Sequence, residues 1–134
     1  MTTKRNRIGD EQGQTMVEFA VVLPILVVLL FGIIQFGILF NNYVTLTDAV
    51  RAGVRKAAVS RPLGPSGAVA AAQAAVRNSA GDLDLSKLPD ATVTSTWQHG
   101  DDVTVCAVYP YNIQLLAVVV KSGNLKSCTT ERVE

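Results

Sequence analysis

A glycine and a carboxylate stand five residues apart where a polar leader gives way to a long apolar segment. Residues 19–40 contain one strongly polar side chain, Gln35, and Glu18 lies directly before them. An ionised carboxylate at such a position costs several kcal/mol unless a cation neutralises it. Cleavage after Gly13, whose missing side chain lets an extended backbone enter a narrow active site, would leave an α-amino group on Gln14. This amine is mostly protonated at neutral pH and is a candidate partner for Glu18, in the same subunit or in a neighbour.

Glu18 has a second interpretation. A carboxylate near the N-terminus of a helix interacts favourably with the helix dipole, without any role in assembly. From these residues alone, a register-setting carboxylate and a simple interfacial acid both stay open.

The sequence also contains two cysteines, Cys106 and Cys128. Both lie in the part of the chain that is expected outside the cytoplasm. An even number of cysteines in an oxidising compartment predicts a disulfide. The alternative is that they are two unrelated small apolar residues.

No pattern in the sequence predicts catalysis or metal binding. His99, the only histidine, lies near Asp101 and Asp102 but lacks a ligand spacing such as Cys-x-x-Cys. No nucleophile–base motif, phosphate-binding loop or His-Glu-x-x-His motif occurs. We therefore expect no catalytic residue, no metal and no cofactor. A net charge of +1 with scattered Lys and Arg also argues against a nucleic-acid partner.

The apolar segment is long enough to cross a bilayer. As a helix with a rise of about 1.5 Å per residue, residues 19–40 extend about 33 Å. Lys4, Arg5 and Arg7 precede the segment and the first basic residue after it is Arg51, so we expect the N-terminus inside and the C-terminal part outside. The segment exceeds a secretory h-region and no small-x-small cleavage site follows, which favours a single-pass anchor in the cytoplasmic membrane.

We expect the helix to begin near Thr15, after a polar and disordered stretch over residues 1–12, and to continue beyond the membrane. Pro24, Gly32 and Gly37 can loosen it where a neighbour packs, although both residue types are frequent in membrane helices. Past residue 40, apolar residues recur at spacings of three and four, which predicts one buried face. They are Leu46, Ala49, Val50, Gly53, Val54, Ala57 and Ala58, with Arg51, Arg55 and Lys56 on the remaining surface.

The C-terminal part predicts a small head. An alanine-rich run at 68–80 predicts a second helix that Ser66 caps, after a segment rich in Pro and Gly. Alternating residues predict strands, with a turn between the first two, and an apolar stretch predicts a core-packing segment or contact surface. The strands are at 91–97, 101–109 and 125–133, the turn at 98–101 and the apolar stretch at 113–120.

The predicted fold is α+β. It combines a long N-terminal helix, transmembrane and then amphipathic, with a head of one helix and a three-stranded antiparallel sheet. The predicted organisation is a cytoplasmic leader at 1–13, the long helix at 14–61 and an extracytoplasmic head at 62–134.

Three stretches occur in a recognisable order. They are Gly-Gln-Thr-Met-Val-Glu-Phe-Ala-Val-Val-Leu-Pro at 13–24, Leu-Phe-Gly-Ile-Ile-Gln-Phe-Gly at 30–37 and Ala-Val-Arg-Ala-Gly-Val-Arg-Lys-Ala-Ala at 49–58. Together they resemble the TadE-like proteins, which are minor pilins or pseudopilins of the tight-adherence (Flp) branch of type IV pilus systems. The chain is much longer than the very short major Flp pilin, which favours a minor or initiating role.

The resemblance implies a defined course for this chain. A prepilin peptidase would cleave after Gly13, Gln14 would become the N-terminus, and Glu18 would be the carboxylate at the fifth mature position that sets the subunit register. The implied partners are this peptidase, other pilin and minor pilin subunits, the inner-membrane assembly platform and the lipid bilayer. The product would take part in an extracellular pilus used for surface attachment.

Two alternatives stay open. An uncleaved single-pass accessory protein of the secretion or pilus machinery would keep its leader and tolerate Glu18→Ala. An anchored extracytoplasmic module for a small ligand or glycan would need converging polar groups, and the candidates are Trp97, His99, Tyr109 and Tyr111.

Overall fold

The computed structural model describes residues 8–115 and 118–134. Its architecture is α+β, as predicted, with a long helix, a second helix and a three-stranded sheet. The elements are α1 (Ile8–Ala58), a short 3₁₀ helix (Arg61–Leu63), α2 (Gly64–Ser79), β1 (Thr92–Ser95), β2 (Asp102–Leu115) and β3 (Val118–Arg132).

Helix α1 begins at Ile8, earlier than the predicted start near Thr15. The expected disorder was therefore wrong for residues 8–12, and the rest of that prediction, 1–7, lies outside the described residues. Polarity alone suggested disorder, but no proline interrupts this part.

The second half of α1 carries the predicted buried face. All seven residues of the stripe are buried, and Arg51, Arg55 and Lys56 are exposed. The fully buried members with the largest side chains are Leu46, Val50 and Val54. Burial of each such side chain contributes roughly 1.5–3 kcal/mol, so this part of α1 is a principal component of the head's core.

Helix α2 begins at Gly64, and Ser66 lies inside it. The prediction that Ser66 caps the helix was wrong: the N-cap is Leu63, without a side-chain hydrogen bond. Pro65 in the first turn replaces the cap, because its fixed φ suits this position and its missing N–H needs no partner. The buried face of α2 consists of the small residues Ala68, Ala72 and Val76.

The sheet has the antiparallel order β1-β2-β3. The short β1 pairs only with the start of β2, where Ser95 lies opposite Val103. β2 and β3 pair over their whole length, from Asp102 and Arg132 to Leu115 and Val118.

The two long strands extend beyond their predicted ends at 109 and 125. The stretch 113–120, predicted as a separate segment, instead extends both strands, apart from 116 and 117, which lie outside the described residues. A register irregularity at 113–114 and an almost continuous apolar run hide the alternation by which a strand is recognised.

The core lies between the inner face of the sheet and the two helices. Val103, Val105, Ala107 and Tyr109 alternate along β2 and are all buried, as predicted. The loop between α2 and β1, to which no element was assigned, adds Leu83, Leu88 and Ala91 to this core.

Asp84 organises this loop. Its Oδ1 accepts hydrogen bonds from the N and Oγ of Ser86 at 3.1 and 2.6 Å, and Nζ of Lys87 lies 2.9 Å from its Oδ2. The Ser86 hydroxyl first, and then Lys87, lower the pKa of Asp84 from 3.8 to about 2, and the same ion pair raises the pKa of Lys87. The backbone N–H of Asp84 donates to Oη of Tyr109 at 3.3 Å, which ties the loop to β2.

Candidate functional site

The predicted cleavage and register residues lie on one exposed part of α1. Gly13, Gln14 and Glu18 are all exposed. Nε2 of Gln14 donates a hydrogen bond to Oε1 of Glu18 at 3.4 Å, across one helical turn. Because helical side chains tilt towards the N-terminus, the Glu18 carboxylate lies over residue 14. A cationic group on residue 14 would therefore lie within one helical turn of this carboxylate.

The Gly13–Gln14 peptide bond lies inside α1 in the uncleaved chain. A protease that binds an extended backbone must therefore open the helix locally. Glycine is about 1 kcal/mol less favourable than alanine in a helix, so Gly13 lowers the cost of this opening.

Among the residues that the structure describes, one helical stretch, Gly13–Ala58 of α1, is long and apolar enough to cross a membrane. Its most apolar window has a mean hydropathy of 2.9 and is not buried against the rest of the chain. Over residues 16–44, most large apolar side chains are exposed, from 38% at Phe31 to 78% at Met16, whereas Val27 and Leu39 are half-buried. Exposed apolar surface of this extent marks contact with lipid or with another protein.

The two glycines of the span lie on an open surface. A Cβ added at Gly32 or Gly37 would meet no atom within 4 Å. Small residues at such positions let the backbone of a second helix approach closely. Any packing role for these glycines therefore concerns a neighbouring molecule.

A cleft of about 290 Å³ separates α1 from the β2–β3 hairpin. Gln35, the polar residue of the apolar segment, lines this cleft and is partly covered, whereas Ile34 and Phe36 beside it are exposed. Polar groups of both elements surround the same space, and they include Asn42, Asn112 and Gln114. Gln35 therefore lies on the side of α1 that faces the hairpin.

Cys106 and Cys128 are joined by a disulfide within the β2–β3 ladder. Their Cα atoms are 4.1 Å apart in directly opposed positions. They lie on the outer face of the sheet, since the adjacent Val105 and Ala107 are buried on the inner face. The sequence separation is 22, and closing a loop of that length stabilises the head by about 3 kcal/mol in the chain-entropy account.

The aromatic residues of the ligand-binding alternative do not converge. Trp97 and His99 follow β1, beyond the pair that Ser95 forms with Val103. Tyr109 lies six residues further along β2, which is about 20 Å of strand, and Tyr111 lies further still. Trp97 also packs against the core. The structure therefore provides no common pocket for these four side chains in its described part.

His99 lies in the predicted turn and is exposed. The N–H of Asp101 donates to the carbonyl of Gln98 at 3.1 Å, and Gly100 has a φ of 86°, a left-handed conformation that favours glycine. Within residues 8–115 and 118–134, no group of three or more His, Cys, Asp or Glu side chains is placed to hold a metal ion.

Sequence reasoning missed the cleft and the reach of the hairpin. The available signal was the alternation of Tyr109, Tyr111 and Ile113, which continues the inner face of β2 past its predicted end. That signal is weak because Pro110 interrupts a strand pattern and the residues after Ile113 are almost all apolar.

The helix and its exposed apolar surface are the part of the chain with recognisable relatives. Residues 13–55 match the TadE-like protein family. The resemblance read from the sequence is thereby confirmed over a range that includes Gly13, Glu18 and the whole apolar span. No curated protein and no solved structure matches the chain.

The TadE-like match indicates a protein associated with the tight-adherence pilus. The family is structural, and its members belong with other components of that pilus. The single apolar helix fits the membrane anchor that such a protein needs. The head beyond residue 55 lies outside the matched range.

Proposed function

We propose that this TadE-like chain is a structural minor pilin, or pseudopilin, that is cleaved after Gly13 and helps to assemble a tight-adherence type IV pilus for surface attachment. One observation carries the proposal. The TadE-like range includes the whole exposed apolar part of α1, which bears Glu18 at its start, one turn after Gln14. In this proposal the chain has no enzymatic activity and needs no cofactor.

The newly inserted chain spans the cytoplasmic membrane once, with the leader inside and the head outside. The basic residues before the apolar segment support this orientation. The Cys106–Cys128 disulfide supports it too, because such bonds persist in oxidising compartments. A prepilin peptidase at the cytoplasmic face then removes residues 1–13.

Cleavage changes the charge at the entrance of the span. The new α-amino group of Gln14 is mostly protonated at neutral pH, and Glu18 lies within one turn of it. In a stack of subunits, the amine that neutralises Glu18 comes from the same chain or from a neighbour. A wrong stagger would leave the carboxylate unpaired in an apolar surrounding, at a cost of several kcal/mol, so Glu18 sets the register.

Assembly then replaces lipid contacts with helix contacts. The apolar side chains of residues 16–44 have no partner surface within the described chain except along the cleft. Gly32 and Gly37 offer places where a neighbouring helix can approach. The partners in this proposal are other pilin and minor pilin subunits, the inner-membrane assembly platform and the bilayer.

The first test is the intact mass and the N-terminal sequence of the protein recovered from its own cells. We expect a chain that begins at Gln14. Gly13→Val places a branched side chain before the scissile bond and should leave the leader attached, whereas Gly9→Val in the same leader should still be cleaved. A wild-type chain that keeps its leader would sink the processed pilin and favour the uncleaved accessory protein.

The second test concerns Glu18. Glu18→Gln and Glu18→Ala should be cleaved normally but should be strongly reduced in the sheared pilus fraction. Glu11→Gln, a change of an acid in the part that is removed, should leave incorporation at the wild-type level. Normal incorporation of Glu18→Ala would show that Glu18 is only an interfacial acid.

A further inference from the structure

The β2–β3 hairpin lies alongside α1 over a long distance. Near one end, a Cβ on Gly53 would lie 3.6 Å from Cγ1 of Val105. Near the other end, Ile113 lines the same cleft as Gln35. The two lengths agree, since residues 35–53 give about 27 Å of helix and residues 105–113 give about 27 Å of strand.

This overlap carries the hairpin past the end of the apolar segment. Phe40 is the last residue of that segment, and Gln35 is five residues inside it, which corresponds to about 7.5 Å of helix. Ile113, beside Gln35, is therefore on the membrane side of Phe40. The ladder continues beyond it to the pair of Leu115 and Val118.

The side chains of the hairpin suit a membrane boundary. Val119 and Val120 are 53% and 64% exposed. Lys121, opposite Ile113, is exposed and can extend its amine from an apolar surrounding to the headgroups. Tyr111 is about 20 Å of strand from Val105, which places it at the level of Phe40 on α1, at the end of the apolar segment, and tyrosine is enriched at membrane interfaces.

The backbone limits how deep the hairpin can lie. β3 is an edge strand, and β1 covers β2 only as far as Cys106. Unpaired backbone N–H and C=O groups are not tolerated in the hydrocarbon core, but water and headgroups satisfy them at the boundary. Elements that lie at this boundary are buried by roughly 5–10 Å, and Ile113, at about 7.5 Å inside the apolar segment, lies within that range.

We propose that the β2–β3 hairpin inserts into the outer leaflet of the bilayer beside α1 at Ile113 on β2 and at Val119 and Val120 on β3. The occupant of this apolar surface is lipid, at the boundary of headgroups and acyl chains. The inference rests on the proposed function in one respect, namely that α1 spans the membrane. The head then has two contacts with the bilayer and a fixed orientation, and the hairpin shields Gln35 from acyl chains.

The test uses tryptophan fluorescence of the full chain in nanodiscs that hold one protein each. Trp97→Phe removes the native tryptophan, and Val119→Trp then reports on the hairpin. We expect blue-shifted emission and strong quenching by lipids that are brominated near the glycerol end of the acyl chain. Thr130→Trp, on the outer face of β3 far from the hairpin's end, is the matched control and should emit as in water without quenching.

Ile33→Trp, on the exposed side of the span, separates the two proposals. If the tryptophan of Ile33→Trp is quenched while that of Val119→Trp emits as in water, the hairpin proposal is overturned and the membrane-spanning α1 is retained. Loss of quenching at Ile33→Trp would instead overturn the spanning helix itself. A blue shift at Val119→Trp that needs several chains per disc would assign the surface to a second copy of the chain, which also overturns the proposal.

Discussion

At the scale of single residues, Gly53 decides how closely the elements of the head approach. It is buried on α1 opposite α2 and β2. A Cβ at this position would clash with Cγ2 of Val76 and lie 3.3 Å from the carbonyl oxygen of Ala72. The glycine is required by this contact and not by its own backbone, since it lies within a regular helix. Glu18 differs from it, because the role proposed for Glu18 depends on a group outside the folded head.

We predict that Gly53→Ala destabilises the head. Alanine improves the helix propensity by about 1 kcal/mol, but overpacking costs about 1–3 kcal/mol. The new Cβ would press on the backbone of α2 at Ala72, which cannot move aside as a flexible side chain does. The expected net loss is up to about 2 kcal/mol, or up to several degrees in Tm, measured by thermal unfolding in detergent. Gly37→Ala, with no atom within 4 Å of the new Cβ, should not lower Tm. Equal Tm values for both variants would contradict the packing at Gly53.

At the scale of elements, the loop between α2 and β1 is ordered by a carboxylate and not by regular structure. Asp84 binds Ser86 and Lys87, and its own N–H reaches Tyr109. Arg77 of α2 adds an ion pair with Asp90 at 2.7 Å. These contacts hold Leu83 and Leu88 over the core, so the loop acts as part of the packed head.

We predict a dependence of stability on acid pH that originates at Asp84. Its folded pKa of about 2 lies below its usual 3.8, so its contribution to stability is complete above about pH 4 and is lost as the pH falls towards 2. Thermal unfolding across this range should show a smaller loss of Tm for Asp84→Asn than for the wild type. Asp82→Asn, a neighbouring exposed acid in the same loop, is the control and should behave as the wild type. A wild-type acid dependence in Asp84→Asn would place its origin elsewhere.

At the scale of the whole molecule, the two parts of α1 have different surroundings. Its first part is an exposed apolar span, and its last part supplies Leu46, Val50 and Val54 to the core of the head. The backbone N–H of Glu134 donates to the carbonyl of Ala58, so the C-terminus also closes on this helix. The head is therefore continuous, through α1, with the exposed apolar segment.

We predict that residues 41–134 fold as an independent unit and that residues 62–134 do not. The shorter fragment loses three large buried side chains of α1, worth roughly 5–9 kcal/mol, which is comparable to the whole stability of a small domain. Cooperative thermal unfolding by circular dichroism should be seen only for the longer fragment. A cooperative transition in 62–134 would show that the sheet and α2 form a core without α1.

The sequence by itself determined the features that depend on composition and local spacing. The length of the apolar segment, the buried stripe at 46–58 and the alternation at 103–109 each follow from one stretch of chain, because periodicity reports which face of an element is buried. It does not report what covers that face. The tertiary structure alone decided that the hairpin continues to Leu115 and Val118, that Gln35 lies against it and that Trp97 is far from Tyr109. These features depend on the register between distant strands and on the way the sheet lies along α1. Pairing over the whole β2–β3 ladder fixes the register, and no local sequence pattern encodes it.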